Sequence, residues 1–270
     1  MRTKAEVLRH FDDFAVDDRW SKLYAADGDA VENHSFIARR QCVEKLLAPA
    51  LRPGASVLDM GCGTGVMAPF VLNAGLDYFG IDLSEEMVEH ARKTADLCAK
   101  QGQTVELSTG DVDAIQYPDA HFDCVIALGL LEYLDDVEAA VGELSRVTKI
   151  GGTIIVSVPS SFCADAVTSR LFSPIVTNAA RAVRSLRGGS KPAGHFFHRK
   201  FRPATLDRIL VGHHCEKSGQ AYYNVEVLCY PFRRAMPRLS LRVKQWAEQY
   251  DNGLVRPFAT AYVGRYVRRS

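Results

Sequence analysis

The chain has 270 residues, of which 47% are hydrophobic and 24% charged. This globular composition excludes a disordered polypeptide and supplies a sizeable core. Its apolar runs, at 125–134 and 153–158, fall far short of the roughly 18 residues that a membrane span needs. Met1 to Phe14 are charged throughout and lack the apolar stretch of a signal peptide. The seven cysteines are scattered, without a CxxC pair, which fits a reducing compartment; a cytoplasmic protein is expected. Charge is divided unevenly: residues 1–161 hold 14 basic and 26 acidic side chains, residues 162–270 hold 19 and 6. The basic part predicts an anionic substrate, a membrane surface or nucleic acid as neighbour, against the plainer reading of a solvated basic face.

Two helical stretches come first, at about 4–25 and 33–48, the second with Phe36, Ile37, Val43, Leu46 and Leu47 at helical spacings. Pro49 and Arg52-Pro53-Gly54 then break the pattern. Strands are predicted at about 55–60, 77–81, 104–108, 122–128 and 153–158, alternating with helices at about 66–74, 85–101 and 136–148. Ser84 is the expected N-cap of helix 85–101, with Glu85 and Glu86 in its first turn. The rhythm resumes with helix 203–212, strand 221–230, helix 238–250 and a strand around 258–268. Such alternation means βαβ units and a mainly parallel sheet.

Between these parts lies an insertion, about 162–200. Leu171, Phe172, Ile175, Val176, Ala179, Val183 and Leu186 recur there at helical spacing, interleaved with Arg170, Arg181, Arg184 and Arg187. The segment is expected to close over a pocket as a lid. Its basic amphipathic character also suits an anionic membrane; Pro174 and Gly188-Gly189, which bracket a short movable helix, favour the lid.

The strongest local signal is Val57-Leu58-Asp59-Met60-Gly61-Cys62-Gly63-Thr64-Gly65. A strand that runs into a glycine turn opening a helix brings backbone N–H groups close to a ligand. A dinucleotide fingerprint would want a third glycine at 66, where the chain has Val66. Asp82 follows 21 residues after Gly61, at the tip of the next strand, where a carboxylate accepts ribose hydroxyls. Asp111, in Gly110-Asp111-Val112, follows the third strand and is placed to receive an exocyclic amine.

These motifs, followed by Phe122-Asp123-Cys124-Val125-Ile126-Ala127-Leu128-Gly129-Leu130-Leu131-Glu132-Tyr133-Leu134 and Gly151-Gly152-Thr153, resemble those of the class I S-adenosylmethionine-dependent methyltransferases. The resemblance covers about 55–160. It implies a Rossmann-like, doubly wound α/β sheet of seven mostly parallel strands, the last antiparallel, in one domain over 1–270. N-terminal helices (1–50), a cofactor-binding half (55–160), the helical insertion and the end of the sheet (201–270) follow in order. It also implies S-adenosyl-L-methionine as cofactor, with Gly61, Gly63 and Gly65 under the methionine part, Asp82 on the ribose, Asp111 and Val112 at the adenine, and Ala127–Gly129 backbone at the methionyl group. Asp59, Leu83 and Leu128 complete the expected cofactor set.

Methyl transfer to oxygen needs a base, and the expected catalytic residues are His195 and His198, in Gly194-His195-Phe196-Phe197-His198-Arg199, with Glu132 and Tyr133. Tyr133 is a departure, since many small-molecule members have His after the Glu. Ala127-Leu128-Gly129-Leu130 is unlike the Asn/Asp-Pro-Pro-Tyr/Phe stretch of amino-methylating DNA enzymes, and the chain has no Pro-Cys dipeptide for cytosine C5 chemistry. His213-His214-Cys215 lacks a companion ligand cluster, so no metal is expected. The function expected is methylation of a small-molecule acceptor, anionic or lipophilic, on oxygen rather than nitrogen or carbon. The alternatives are an enzyme acting on RNA or on a membrane-associated acceptor through the basic half, and a non-catalytic cofactor-binding protein. The oligomeric state is not legible.

Overall fold

A computed structural model describes residues 3–16, 23–24, 30–173, 199–249 and 255–270. Seven strands form one sheet in the order β3-β2-β1-β4-β5-β7-β6. They are β1 (Ser56–Met60), β2 (Asp77–Asp82), β3 (Val105–Thr109), β4 (Phe122–Leu128), β5 (Thr148–Pro159), β6 (Cys215–Val225) and β7 (Ala259–Arg268). Strands β1 to β5 pair in parallel, and β7 runs antiparallel to both β5 and β6. The expected seven-stranded, mostly parallel architecture is therefore present, with the reversed strand last.

The described helices are α1 (Lys4–Val16), α2 (Ala30–Leu47), α3 (Ala68–Asn73), α4 (Glu85–Asp96), α5 (Val137–Val147), α6 (Pro203–Gly212), α7 (Phe232–Ala235) and α8 (Pro237–Glu248), together with helical residues 164–173. Central strand β4 explains the layering. Val125 and Ala127 pack into the core on one face, Cys124 and Ile126 into the core on the other. A strand covered on both faces reads as a continuous apolar run. Val141 and Leu144 of α5 with Leu206 and Leu210 of α6 fill the first core; Val43 and Leu47 of α2, Val71 and Leu72 of α3 and Ala91 of α4 fill the second.

Helix starts follow local chemistry. Ser84 Oγ accepts the Met87 N–H at 3.2 Å, so the expected N-cap of α4 is in place, and Asp136 Oδ1 caps α5 through the Ala139 N–H at 2.9 Å. Four expected boundaries differ. Helix 85–101 stops at Asp96, where the chain tightens into a turn through Cys98 N–H to Ala95 O and Lys100 N–H to Gln103 Oε1. Helix 66–74 is shorter, at Ala68–Asn73. Strand 153–158 extends over Thr148–Pro159. Strand 221–230 is displaced to Cys215–Val225, because the polar stretch Cys215–Gln220 pairs along β7 at the sheet edge. Of the first predicted helix, 17–22 and 25 lie outside the described residues, as do 174–198 of the insertion.

Candidate active site

The carboxyl ends of β1, β2, β3 and β4 open on one cavity, where ligands bind in open α/β sheets. After Met60 the chain turns sharply, with Gly61 at φ +68° and Gly63 at φ +53°. The N–H groups of Gly61 and Cys62 both donate to the Ile81 carbonyl, at 2.8 and 3.0 Å, which ties the loop to the end of β2. The backbone conformation favours glycine at 61, and a Cβ there would stand 2.8 Å from Leu130 Cδ1 and displace that side chain. Gly65 serves differently. It does not line the cavity but lets the loop pack on the backbone of Ala91 in α4.

Asp82 stands across from the loop. Its Oδ2 accepts the Gly63 N–H at 2.8 Å and its Oδ1 accepts the Ser84 N–H at 3.0 Å. Burial raises its pKa against the opposing effect of these N–H donors. Asp59 is buried to 1% exposure and accepts the Tyr78 hydroxyl on Oδ2 at 2.9 Å. Its Oδ1 has no partner among the described residues, and burial pushes the carboxyl to about 7.

Of the expected cofactor residues, Asp59, Gly61, Gly63, Asp82, Leu83, Asp111, Val112 and Leu128 all line this cavity. The sequence reading missed the cavity's roof. Lys4, Val7 and Phe11 of α1 also line it, at positions i, i+3 and i+7 of one helix face. Lys4 Nζ bonds Asp111 Oδ2 at 2.5 Å and Asp113 Oδ2 at 2.6 Å. Partial burial would raise the Asp111 pKa, but the Lys4 ammonium and the Asp113 N–H bring it below the ordinary value. Ser84 Oγ donates to Asp12 Oδ1 at 2.6 Å, which bonds α1 to the segment after β2 as well as to that after β3.

The expected catalytic residues separate. Tyr133 lines the cavity, its ring edge-on to Phe11 at 5.1 Å between centroids. Burial raises its pKa, so it stays a protonated hydroxyl. Glu132 does not line the cavity. It is buried behind Gly129, its Oε2 has no partner among the described residues, and burial pushes its carboxyl to about 7 against the pull of Arg39. Arg39 Nε donates to the Tyr223 hydroxyl at 2.9 Å, and its guanidinium fills the space that a Cβ on Gly129 would take. Arg39 and Tyr223 carried no motif in the sequence; they meet because α2 packs on β6. His195 and His198 lie outside the described residues. Arg199, next in the chain, donates its N–H to the Glu132 carbonyl at 2.9 Å.

The comparisons with known proteins agree with this geometry. Residues 58–156 match the family model described as "Methyltransferase domain". A malonyl-[acyl-carrier protein] O-methyltransferase of Erwinia pyrifoliae is 37% identical over 137 residues, 49% of this chain and 49% of that protein. A ubiquinone biosynthesis O-methyltransferase of Xanthomonas axonopodis pv. citri is 28% identical over 232 residues, 85% of this chain and 87% of that protein. The chain spans about half the length of most of the curated relatives it matches. Among solved structures, the magnesium protoporphyrin IX methyltransferase of Synechocystis PCC 6803 with bound SAH superposes with a TM-score of 0.69 at 18% identity, covering 98% of this chain and 100% of that one. The matched residues fall on the very strands whose ends build the cavity, so the chain carries a methyltransferase domain at 58–156.

Proposed function

We propose that this protein binds S-adenosylmethionine in the cavity at the ends of β1 to β4 and directs its methyl group to an oxygen of a small-molecule acceptor. The observation that carries the reading is the convergence on one cavity of a glycine turn, Asp82 and Asp111 from three successive strand ends. The residues fit the cofactor. Gly61 and Gly63, both at positive φ, line the cavity with main chain, and the orphaned Asp59 Oδ1 suits the ammonium of the methionyl end. Asp82, whose two oxygens each retain a lone pair, accepts the ribose hydroxyls. Leu83 and Val112 offer apolar walls to the adenine, and Asp111 accepts its amine.

When bound, the cofactor supplies a methyl group already activated by its sulfonium charge. The protein's own task is then alignment and proton removal. Tyr133, as a hydroxyl donor, orients the acceptor at the Leu128–Gly129 end of the cavity. Glu132 and Arg39 act from behind that wall as positioning residues. His195 or His198 takes the acceptor proton. The names of the two relatives, both O-methyltransferases, support oxygen as the methylated atom.

Calorimetric titration with S-adenosylmethionine and its demethylated product tests this reading. Wild type should bind both, and Asp82→Ala should weaken binding by about 10- to 100-fold, the loss of 1–3 kcal/mol of hydrogen bonding to a charged group. Absence of binding, or a variant with wild-type affinity, overturns it.

A further inference from the structure

Among the described residues, the exposed side chains of Leu97, Ile150 and Val211 stand singly, and single ones need no explanation. One region differs. Helical residues 164–173 expose Val167, Leu171 and Phe172, while α7 and the start of α8 expose Phe232, Met236 and Leu239, at 60%, 41% and 47%. The two elements are pinned side by side. Asp165 Oδ1 accepts both the Tyr230 N–H and Arg233 Nε, each at 2.8 Å.

Exposed charge on this face has one sign, since Glu248 at the end of α8 is partly buried against His34 at 2.7 Å. From Cys229 to Ala247 the sequence has five basic residues and no acidic one. Two of the five are neutralised from outside the stretch, Arg233 by Asp165 at 2.8 Å and Lys244 by Glu226 at 2.6 Å. Lys244 belongs, with Ser240 and Ala247, to the buried stripe by which α8 packs inward. Arg234, Arg238 and Arg242 remain exposed, with no ion pair among the described residues, and Arg170 adds a fourth cation on the neighbouring segment. Exposed aliphatic and aromatic groups set among unpaired arginines are the composition of an interfacial helix, whose apolar side enters the acyl boundary while its cations meet headgroup phosphates. A protein partner would need an acidic surface with apolar pockets; an anionic bilayer supplies both properties over any area.

We propose that α7 and α8, with the adjoining helical residues 164–173, form a docking face for an anionic phospholipid bilayer. Residues 164–173 begin five residues beyond the end of β5, on the carboxyl side of the sheet where the cavity opens. The docked protein therefore turns its ligand-binding edge toward the membrane, and the proposal stands independently of which atom is methylated.

Sedimentation of the full chain with vesicles tests it. Pure phosphatidylcholine is compared with a 70:30 mixture of phosphatidylcholine and phosphatidylglycerol. The protein should bind the anionic vesicles, release them as salt is raised, and bind the neutral ones weakly. Arg234→Glu with Arg238→Glu and Arg242→Glu should lower partitioning by roughly 100-fold, given about 1 kcal/mol per basic residue at the surface. Phe232→Ser with Leu239→Ser should lower it as well, with affinity for the demethylated cofactor unchanged in both variants. Equal binding to neutral vesicles, salt-insensitive binding of the wild type, or undiminished binding by the charge variant overturns the proposal. So does a wild-type dimer that the Phe232→Ser, Leu239→Ser variant converts to monomer, which would make this face a contact between copies.

Discussion

Lys4, in the first turn of α1, holds Asp111 at 2.5 Å across 107 positions of sequence. The carboxylate assigned to the adenine amine is thus already bonded to the helix that roofs the cavity. Entry of a nucleoside has to accommodate that bond, and α1 is the element expected to yield. Residues 174–198 of the insertion expected as a lid lie outside the described residues, and the roof formed by Lys4, Val7 and Phe11 belongs to α1.

Lys4→Met should therefore speed both association and dissociation of the demethylated cofactor in stopped-flow measurements at low salt. The pair is half exposed, at 49% and 40%, so the effect is limited to a few-fold, the worth of about 0–1 kcal/mol for such a bridge. At high salt the two proteins should converge, because screening removes what the mutation removes. Identical kinetics at low salt would show that α1 does not gate the cavity.

Cofactor binding should release a proton near pH 6.5. Burial holds the Asp59 carboxyl at about 7 in the free protein, so a large share of it is protonated there. An ammonium beside the orphaned Oδ1 favours the charged form and expels that proton. Calorimetry in two buffers of different ionisation enthalpy should give different apparent binding enthalpies, and Asp59→Asn should abolish the difference. Buffer-independent enthalpies in the wild type would place the ammonium elsewhere.

Glu132 makes stability depend on pH in the opposite sense to a salt-bridged acid. Burial raises its folded pKa from 4.5 to about 7, so the folded state binds more protons than the unfolded state between those values. Stability is fully present below the unfolded pKa and falls as pH rises through 7. Urea denaturation at pH 5 and pH 8 should show a loss on the order of 1–3 kcal/mol in the wild type from this group. Glu132→Gln should lack that part of the decline, and a variant with the wild-type slope would contradict the assignment.

If His195 or His198 removes the acceptor proton, its replacement by Ala should slow methyl transfer by about 10²-fold. Affinity for the demethylated cofactor should stay unchanged. Radiolabelled methyl transfer into an acceptor fraction from a cell extract reads the first quantity and calorimetry the second. Near-normal rates in both single variants would assign the base elsewhere.

What was legible in the sequence, and what was not, follows from the range of the interactions. The parallel sheet could be read because β4 is apolar at every core position and because the turn at Gly61 and Gly63 needs glycine for local reasons. Asp82 and Asp111 were legible because each ends a strand whose neighbour was already placed. The edge strand β6 was misplaced because Cys215–Gln220 is polar, and its pairing depends on β7, more than 40 residues away. The roof of the cavity and the Arg39–Tyr223 contact were hidden for the same reason. Lys4, Phe11 and Arg39 are ordinary residues on ordinary helices until tertiary packing brings them to the ends of the strands.

The two N–H bonds from Gly61 and Cys62 to the Ile81 carbonyl have a consequence for how this protein tolerates change. The glycine loop and the strand end that carries Asp82 are stitched through main-chain atoms, which no substitution short of proline deletes. A replacement in either core that tilts β1 carries the tip of β2 with it, so the spacing between Gly63 and Asp82 survives drift in the side chains beneath. Evolution is then free to rebuild the walls for new acceptors while the cofactor's seat keeps its dimensions.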